Sequence, residues 1–398
     1  MSDFTNTIFS TFVFTIFQSI AISWIVLKLI CFARQDFLSA LYISSGKSTT
    51  NARLLGGLAT SAAMVTAIIS LFFFYPNAFS VVEKKTMLFA LASIGLVTLY
   101  GYIDDKIEVR VRLKLIMQFS SVLSFAFFNS PSISPTHPTI AFIISAIFGL
   151  ALVNGTNLID GLDTLSIKLG ATSSLAFLYL GVISYSLPTI FLSITLMSAL
   201  SMFYFFNREP AKIYMGEIGG SLIGLIYFIQ SSYCFTALKR DMHYSHALAL
   251  IFIACFFPIC ELGVSFIRRL IGKKSPFRGD KLHLHYILKN RYLLTASQVS
   301  TSMGIVGVAI LTLGYIIAQR YNPIIGFGFV IICTLQIYMM VCYKEWRSTY
   351  LSETPENIFK LFEGKTVTII DYTHLGTLDI SINEKEELKN NSSIERSA

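Results

Sequence analysis

FTNTIFSTFVFTIFQSIAISWIVL, residues 4–27, contains no Asp, Glu, Lys or Arg. A helix rises about 1.5 Å per residue, so an uncharged apolar run of this length reaches across the ~30 Å hydrocarbon core of a bilayer. It is too long for the core of a secretory signal and no basic segment precedes it, so it reads as a retained first span. Ten further runs resemble it, at approximately 55–75, 86–103, 114–129, 138–153, 168–185, 188–206, 218–237, 246–267, 299–319 and 323–343. Over 398 residues, 54% are apolar and only 14% charged, well short of the charge a soluble chain carries. The expected fold is all-α: a polytopic integral membrane protein of about eleven transmembrane helices. Pro131, Pro135 and Pro138 mark the turn between the fourth and fifth.

The net charge of +8 follows from topology. Gaps after the odd-numbered runs hold roughly eighteen Lys and Arg against roughly five after the even-numbered ones, which puts the first set in the cytoplasm. The N-terminus is then expected outside and the C-terminus inside. Arg268, Arg269, Lys273 and Lys274 read as such topology charges, and no nucleic-acid surface is expected. The six cysteines lack a C-x-x-C pairing with further Cys or His and read as small buried residues. Residues 1–343 form a transmembrane domain, with a cytoplasmic tail at 344–398. In that tail, 365–382 alternates like a short hairpin and 383–398 reads as a solvated, disordered end.

Four polar segments all fall in cytoplasmic gaps, as one active site would require. In GYIDDKIEVRVRLK (101–114), Asp104 and Asp105 end a span. Adjacent carboxylates there suit either a solvated helix end or a hard cation such as Mg²⁺. In NGTNLIDGLDTLS (154–166), Asn154, Asn157, Asp160 and Asp163 recur every third residue. They would share one drifting face of a helix, suited to a base, ribose or sugar, or form an ordinary polar cap. In FNREPAKIYMGEIGGS (206–221), Asn207 and Lys212 precede Glu217 at a helix start. That acid either complements the helix dipole or is a further metal carboxylate. RRLIGKKSPFRGDKLHLHYIL (268–288) brings Arg278, His283 and His285, contacts suited to a pyrophosphate. An i, i+2 spacing would turn one His away from the ligand.

Together these strings resemble the polyprenyl-phosphate N-acetylhexosamine-1-phosphate transferase family, of the glycosyltransferase family 4 type. They are D-D-x8-K (Asp104, Asp105, Lys114) with Gln118, N-x2-N-x2-D-G-L-D, N-x2-P-A-K-x-x-M-G-E and S-P-F-x2-D-K-x-H-L-H, in order from about residue 50 to 290. Eleven helices and His-Leu-His look more like the N-acetylhexosamine branch than the phospho-MurNAc-pentapeptide translocase. The resemblance implies Asp104, Asp105 and Lys114 as catalytic residues, with Asp104 the base toward the lipid phosphate. It implies Asp105 and Glu217 as ligands of Mg²⁺, or Mn²⁺ in its place. Asn154, Asn157, Asp160, Asp163, Asn207, Lys212, Arg278, His283 and His285 would bind substrate, His283 at the diphosphate. The implied partners are a UDP-N-acetylhexosamine, undecaprenyl phosphate and membrane lipid, and a homodimer is compatible with it. The implied setting is the cytoplasmic face of a bacterial inner membrane, at the start of O-antigen or other envelope polysaccharide synthesis. Glu217 stands where the family usually has Asp, and Tyr286 where a third His is common. A transporter or a non-catalytic scaffold is the rival reading. The transporter would place its ionisable groups near mid-membrane, whereas here nearly all fall in gaps on one side and Glu261 is the main exception.

Overall fold

The computed structural model describes residues 2–32, 54–74, 79–107, 109–276, 279–350, 366–371 and 376–381. Two compact units emerge, Met1–Tyr343 and Lys344–Ala398. The helices in chain order are α1 (Ser2–Phe32), α2 (Gly56–Phe74), α3 (Val81–Ile107), α4 (Val111–Ile133), α5 (Pro138–Ile159), α6 (Leu165–Ile183) and α7 (Leu187–Asn207). They continue with α8 (Gly216–Leu238), α9 (Tyr244–Ala254), α10 (Phe256–Ile271), α11 (Leu284–Arg291), α12 (Ala296–Arg320) and α13 (Pro323–Tyr350). Among the described residues, ten helices are long and apolar enough to cross a membrane, or eleven if the α9–α10 pair is one span. The chain is a multi-pass membrane protein. In the second unit, β1 (Thr366–Asp371) and β2 (Gly376–Ser381) pair antiparallel from Thr366↔Ser381 to Asp371↔Gly376, within the segment that alternates in sequence. The stretch read as a disordered end lies outside the described residues.

With no water in the hydrocarbon layer, polar groups in a span need partners inside the protein. Many hydroxyls find theirs on their own helix: Thr15 donates to the Thr11 carbonyl at 2.7 Å and Ser193 to Thr189 at 2.8 Å. The same device lets α4 continue through Pro131, which sequence alone made part of a turn. Proline supplies no N–H to the Phe127 carbonyl, and the Ser130 hydroxyl donates to that oxygen instead, at 2.9 Å. The turn falls after Ile133.

The expected single span at 246–267 is two helices, α9 and α10, bent by 83° about Cys255. Pro258 explains the break. A continuous helix would need its N–H and would collide with its ring, whereas the first turn of a new helix tolerates both. The face α10 buries carries Glu261, Ser265, Arg268 and Arg269; Ile267, Leu270 and Ile271 are exposed. From Glu261 onward the helix is polar inside and apolar outside, the arrangement lipid favours.

α8 is the most enclosed span and packs against α2 through α7 and α9. Its small residues allow this. A Cβ on Gly220 would lie 2.6 Å from Asn157 Oδ1, and one on Gly224 would strike Thr156 and the α5 backbone. The α5–α8 seam thereby sets Asn157 beside the first turn of α8.

Candidate active site

Odd-numbered α3, α5 and α7 end where α4, α6 and α8 begin, so their polar termini gather at one end of the bundle. There a cleft of about 900 Å³ is lined by Asp104, Asp105, Lys114, Asn157, Asp160 and Asp163, together with Asn207 and Glu217. Residues over a hundred positions apart in sequence thus share one wall.

Lys114 is the hub. Its ammonium lies 3.0 Å from Asp104 Oδ2 and 2.5 Å from Glu217 Oε2. The other Asp104 oxygen accepts from the Val109 N–H at 2.7 Å. Asn157 donates to Glu217 Oε2 at 2.5 Å. Glu217 begins α8 as expected, but the anion at this helix N-terminus is the protein's own: the Glu217 N–H donates to Asp105 Oδ1 at 3.0 Å. Gly216 makes the approach possible. It sits at φ +71°, a conformation that disfavours L side chains, and a Cβ there would lie 2.7 Å from Asp105 Oδ2. That Asp105 oxygen is buried without a hydrogen-bond partner among the described residues. A buried carboxylate oxygen rarely goes unsatisfied, so it marks where a ligand's positive charge or proton is wanted.

The expected helix face at 154–163 is only half helical. α5 stops at Ile159, Asp160 caps its end, and the chain turns to Thr164 in the left-handed region. Glycine at 161 breaks the three-residue pattern into helix then turn. Asp163 Oδ2 accepts from the Ala211 N–H at 3.2 Å, and Asn207 fixes the same turn by accepting from the Thr164 N–H at 2.7 Å. Burial pushes the Asp160 carboxyl up to about 7, helped by the negative charges of Glu217 and Asp163. Burial raises Asp163 as well.

Other candidates stand apart from the cleft lining. Asn154 is turned back onto its own helix, donating to the Leu150 carbonyl at 2.9 Å. Lys212 is exposed and outside the lining set. Arg278 lies outside the described residues, while its neighbour Gly279 lines the cleft. His283 and His285 are both buried, at 4% and 0% exposure, and neither lines it. Their rings stack with centroids 5.7 Å apart instead of diverging, because His283 is the extended N-cap of α11 and His285 is already in the helix. His283 Nδ1 is 2.6 Å from Glu261 Oε1.

Sequence reasoning also misplaced Arg268 and Arg269. Each is only 5% exposed, and both bond Asp280. Burial raises the Asp280 carboxyl, but hydrogen bonds from Arg268 and Arg269 outweigh it and hold the group well below the usual carboxylate range. Asp280 entered the sequence reading only as the acid of the S-P-F-x2-D-K string, with no role assigned to it. Its signal was position, one acid inside a basic loop.

Among the described residues no three His, Cys, Asp or Glu side chains gather into a metal cage. Two carboxylates are enough for Mg²⁺, which usually takes one or two from protein and completes its shell with water and phosphate oxygens. Asp105, with a buried oxygen unpartnered among the described residues, and Glu217, joined to it through the backbone, fit that requirement.

A family model described as Glycosyl transferase family 4 matches residues 86–234. The matched stretch holds every cleft acid named above. A Bacillus subtilis protein named "Probable undecaprenyl-phosphate N-acetylglucosaminyl 1-phosphate transferase" is 24% identical over 245 residues, 59% of this chain and 64% of that protein. An undecaprenyl-phosphate alpha-N-acetylglucosaminyl 1-phosphate transferase of Thermotoga maritima is 29% identical over 211 residues, 51% of this chain and 62% of that one. A phospho-N-acetylmuramoyl-pentapeptide-transferase of Streptococcus pneumoniae is 28% identical over 257 residues, 59% and 73%. The chain spans less than two thirds of the length of the first two relatives.

Proposed function

Because this chain belongs, over residues 86–234, to glycosyl transferase family 4, we propose that it transfers an N-acetylhexosamine 1-phosphate from its UDP derivative to undecaprenyl phosphate. One observation carries the reading: Lys114 bridges Asp104 and Glu217 beside the unpartnered oxygen of Asp105, in a cleft at the ends of the spans. A site at the membrane surface suits a reaction in which one substrate is dissolved in water and the other anchored in lipid. The charge asymmetry of the gaps supports the cytoplasmic face of a bacterial inner membrane. The product, a lipid-diphosphate-sugar, would begin O-antigen or another envelope polysaccharide.

In the reaction an oxygen of the lipid phosphate attacks the sugar-bearing phosphorus. The pyrophosphate P–O bond breaks, and UMP leaves with the bond's electrons. Phosphoryl transfer asks mainly for positioning and neutralised charge. Asp104, oriented by the Val109 N–H and Lys114, accepts a proton from the lipid phosphate. Lys114 offers positive charge to the phosphates. Asn157 and Asn207 have amides at the wall, and Asp160, titrating near neutral pH, can donate or accept a hydrogen bond with uracil, ribose or sugar hydroxyls. Mg²⁺ or Mn²⁺, held by Asp105 and Glu217, would neutralise phosphate charge.

The test is UMP release by the purified protein in detergent. Release that requires a UDP-N-acetylhexosamine, undecaprenyl phosphate and Mg²⁺, and stops with chelator, supports the reading. Ion-coupled uptake without cleavage would replace it with the transporter.

A further inference from the structure

Outside the cleft lining, four buried ionisable groups, Glu261, Arg268, Arg269 and His283, gather with the partly exposed Asp280 into a second system. Asp280 takes a bidentate pair from Arg268, at 2.9 and 3.1 Å, a bond from Arg269 Nε at 2.9 Å, and the Leu282 N–H at 3.0 Å. Arg269 also donates to the Pro276 carbonyl at 2.8 Å. His283 faces a carboxylate on each side of its ring, with Glu261 Oε1 2.6 Å from Nδ1 and Asp280 Oδ1 3.9 Å from Nε2. Ser265 lies 3.2 Å from the same Nδ1, and the Tyr338 hydroxyl of α13 donates to the second Glu261 oxygen. Charges this enclosed persist only when paired, and removing one partner strands the others.

The network sits at the root of the chain segment that meets the cleft. Gly279, next to Asp280, lines the cleft rim. Beyond His283, α11 lies against the Asp160–Asp163 turn. A Cβ on Gly161 would be 2.5 Å from His285 Nε2 and 2.7 Å from Tyr286 Oη, so the turn and the helix touch with no room to spare.

We infer that Glu261, His283, Asp280, Arg268 and Arg269 form a latch that positions α11, and through it the Asp160–Asp163 turn, against the nucleotide-sugar, His283 being a positioning residue and not a diphosphate contact. The ligand part of this statement rests on the reading proposed above; the mechanical part does not. A displaced α11 frees Gly161, and the two acids beside it lose their place on the cleft wall.

Two measurements on full-length protein test it, with Glu261→Gln and His283→Asn, and Ser265→Ala as a milder change should either fail to fold. Amide hydrogen exchange, without ligand, should quicken about tenfold or more at both 280–292 and 160–164, with α8 still protected. Faster exchange at 280–292 with 160–164 unchanged would overturn the latch. In the transferase assay, the KM for the UDP-sugar should rise about tenfold, with kcat and the KM for the lipid within about twofold. The His283→Asn/Glu261→Gln double variant should be no worse than His283→Asn alone. A collapse of kcat in His283→Asn with Glu261→Gln silent would make His283 a contact to the reacting phosphates. If the wild-type protein releases no UMP, the proposed function fails, while the exchange result still decides the latch.

Discussion

Two clusters of nearly the same chemistry lie within this one bundle and differ in whether their buried carboxylate oxygens are all bonded. In the cleft, Lys114 answers Asp104 and Glu217, yet among the described residues a buried oxygen of Asp105 is left over. In the latch, both Asp280 oxygens are bonded by arginine and both Glu261 oxygens are taken, one by His283 and one by Tyr338. Electrostatic surplus beside solvent invites a ligand, whereas surplus in a sealed interior would unfold the chain. Completeness of pairing at the carboxylates, more than residue type, separates a site that acts from one that holds, although Arg269 Nη2 in the latch is itself buried without a hydrogen-bond partner among the described residues.

The sharpest way to break this contrast is to neutralise an acid in the unfinished cluster. Asp105→Asn and Glu217→Gln should each cut turnover by about 10²-fold or more while the thermal unfolding temperature in detergent stays near wild type. Neither substitution leaves a buried ion stranded, since Lys114 keeps Asp104. Full activity in either variant would remove that residue from the phosphate site.

The opposite pattern is expected in the finished cluster. Asp280→Asn leaves Arg268 and Arg269 buried without their anion, at a cost of about 3–5 kcal/mol of stability. A large drop in unfolding temperature, with residual turnover in the folded fraction, is the expected result. An unfolding temperature unchanged by this substitution would mean that water reaches the arginines and that the latch is open.

These outcomes bear on what the sequence could disclose. Spans were legible because a bilayer dictates length and apolarity together, so a run such as 4–27 has few other readings. The cleft acids were legible because they cluster at span ends, next to glycines. The bend at Cys255 was hidden. Residues on both sides of Pro258 are equally apolar, and hydropathy does not register a missing N–H. Arg268 and Arg269 were misread for a similar reason: a basic pair at the end of an apolar helix is what a topology signal looks like. Their partner sits eleven and twelve residues onward, past a turn that only folding brings back. His283 and His285 failed the alternation rule because one caps a helix and the other belongs to it.

pH provides a milder probe. Burial lowers His285 from 6.5 to about 4. Between those values the unfolded chain binds a proton that the folded protein refuses, so stability falls as pH drops from 6.5 toward 4 and is indifferent to this group above 6.5. From pH 6.5 to 4.5 the loss should be about 2 kcal/mol, at 1.36 kcal/mol per unit. Unfolding temperatures measured across that range should decline less steeply in His285→Asn. An unaltered slope would assign the decline to other groups.

The smallest change concerns the phenol at the latch's outer edge. Tyr338→Phe removes the hydroxyl from Glu261 Oε2 while leaving the His283 bond on Oε1 in place. One charge-assisted hydrogen bond is lost, worth about 1.5–3 kcal/mol, and the ring still fills its space. Stability should therefore fall measurably, but less than with Asp280→Asn, and the KM for the UDP-sugar should stay within about twofold because α11 remains tied at His283. Were Tyr338→Phe to raise that KM as strongly as Glu261→Gln, the tension on the turn would come from α13, and α10 would be only its intermediary. The ordering of these two variants thus decides which helix anchors the site.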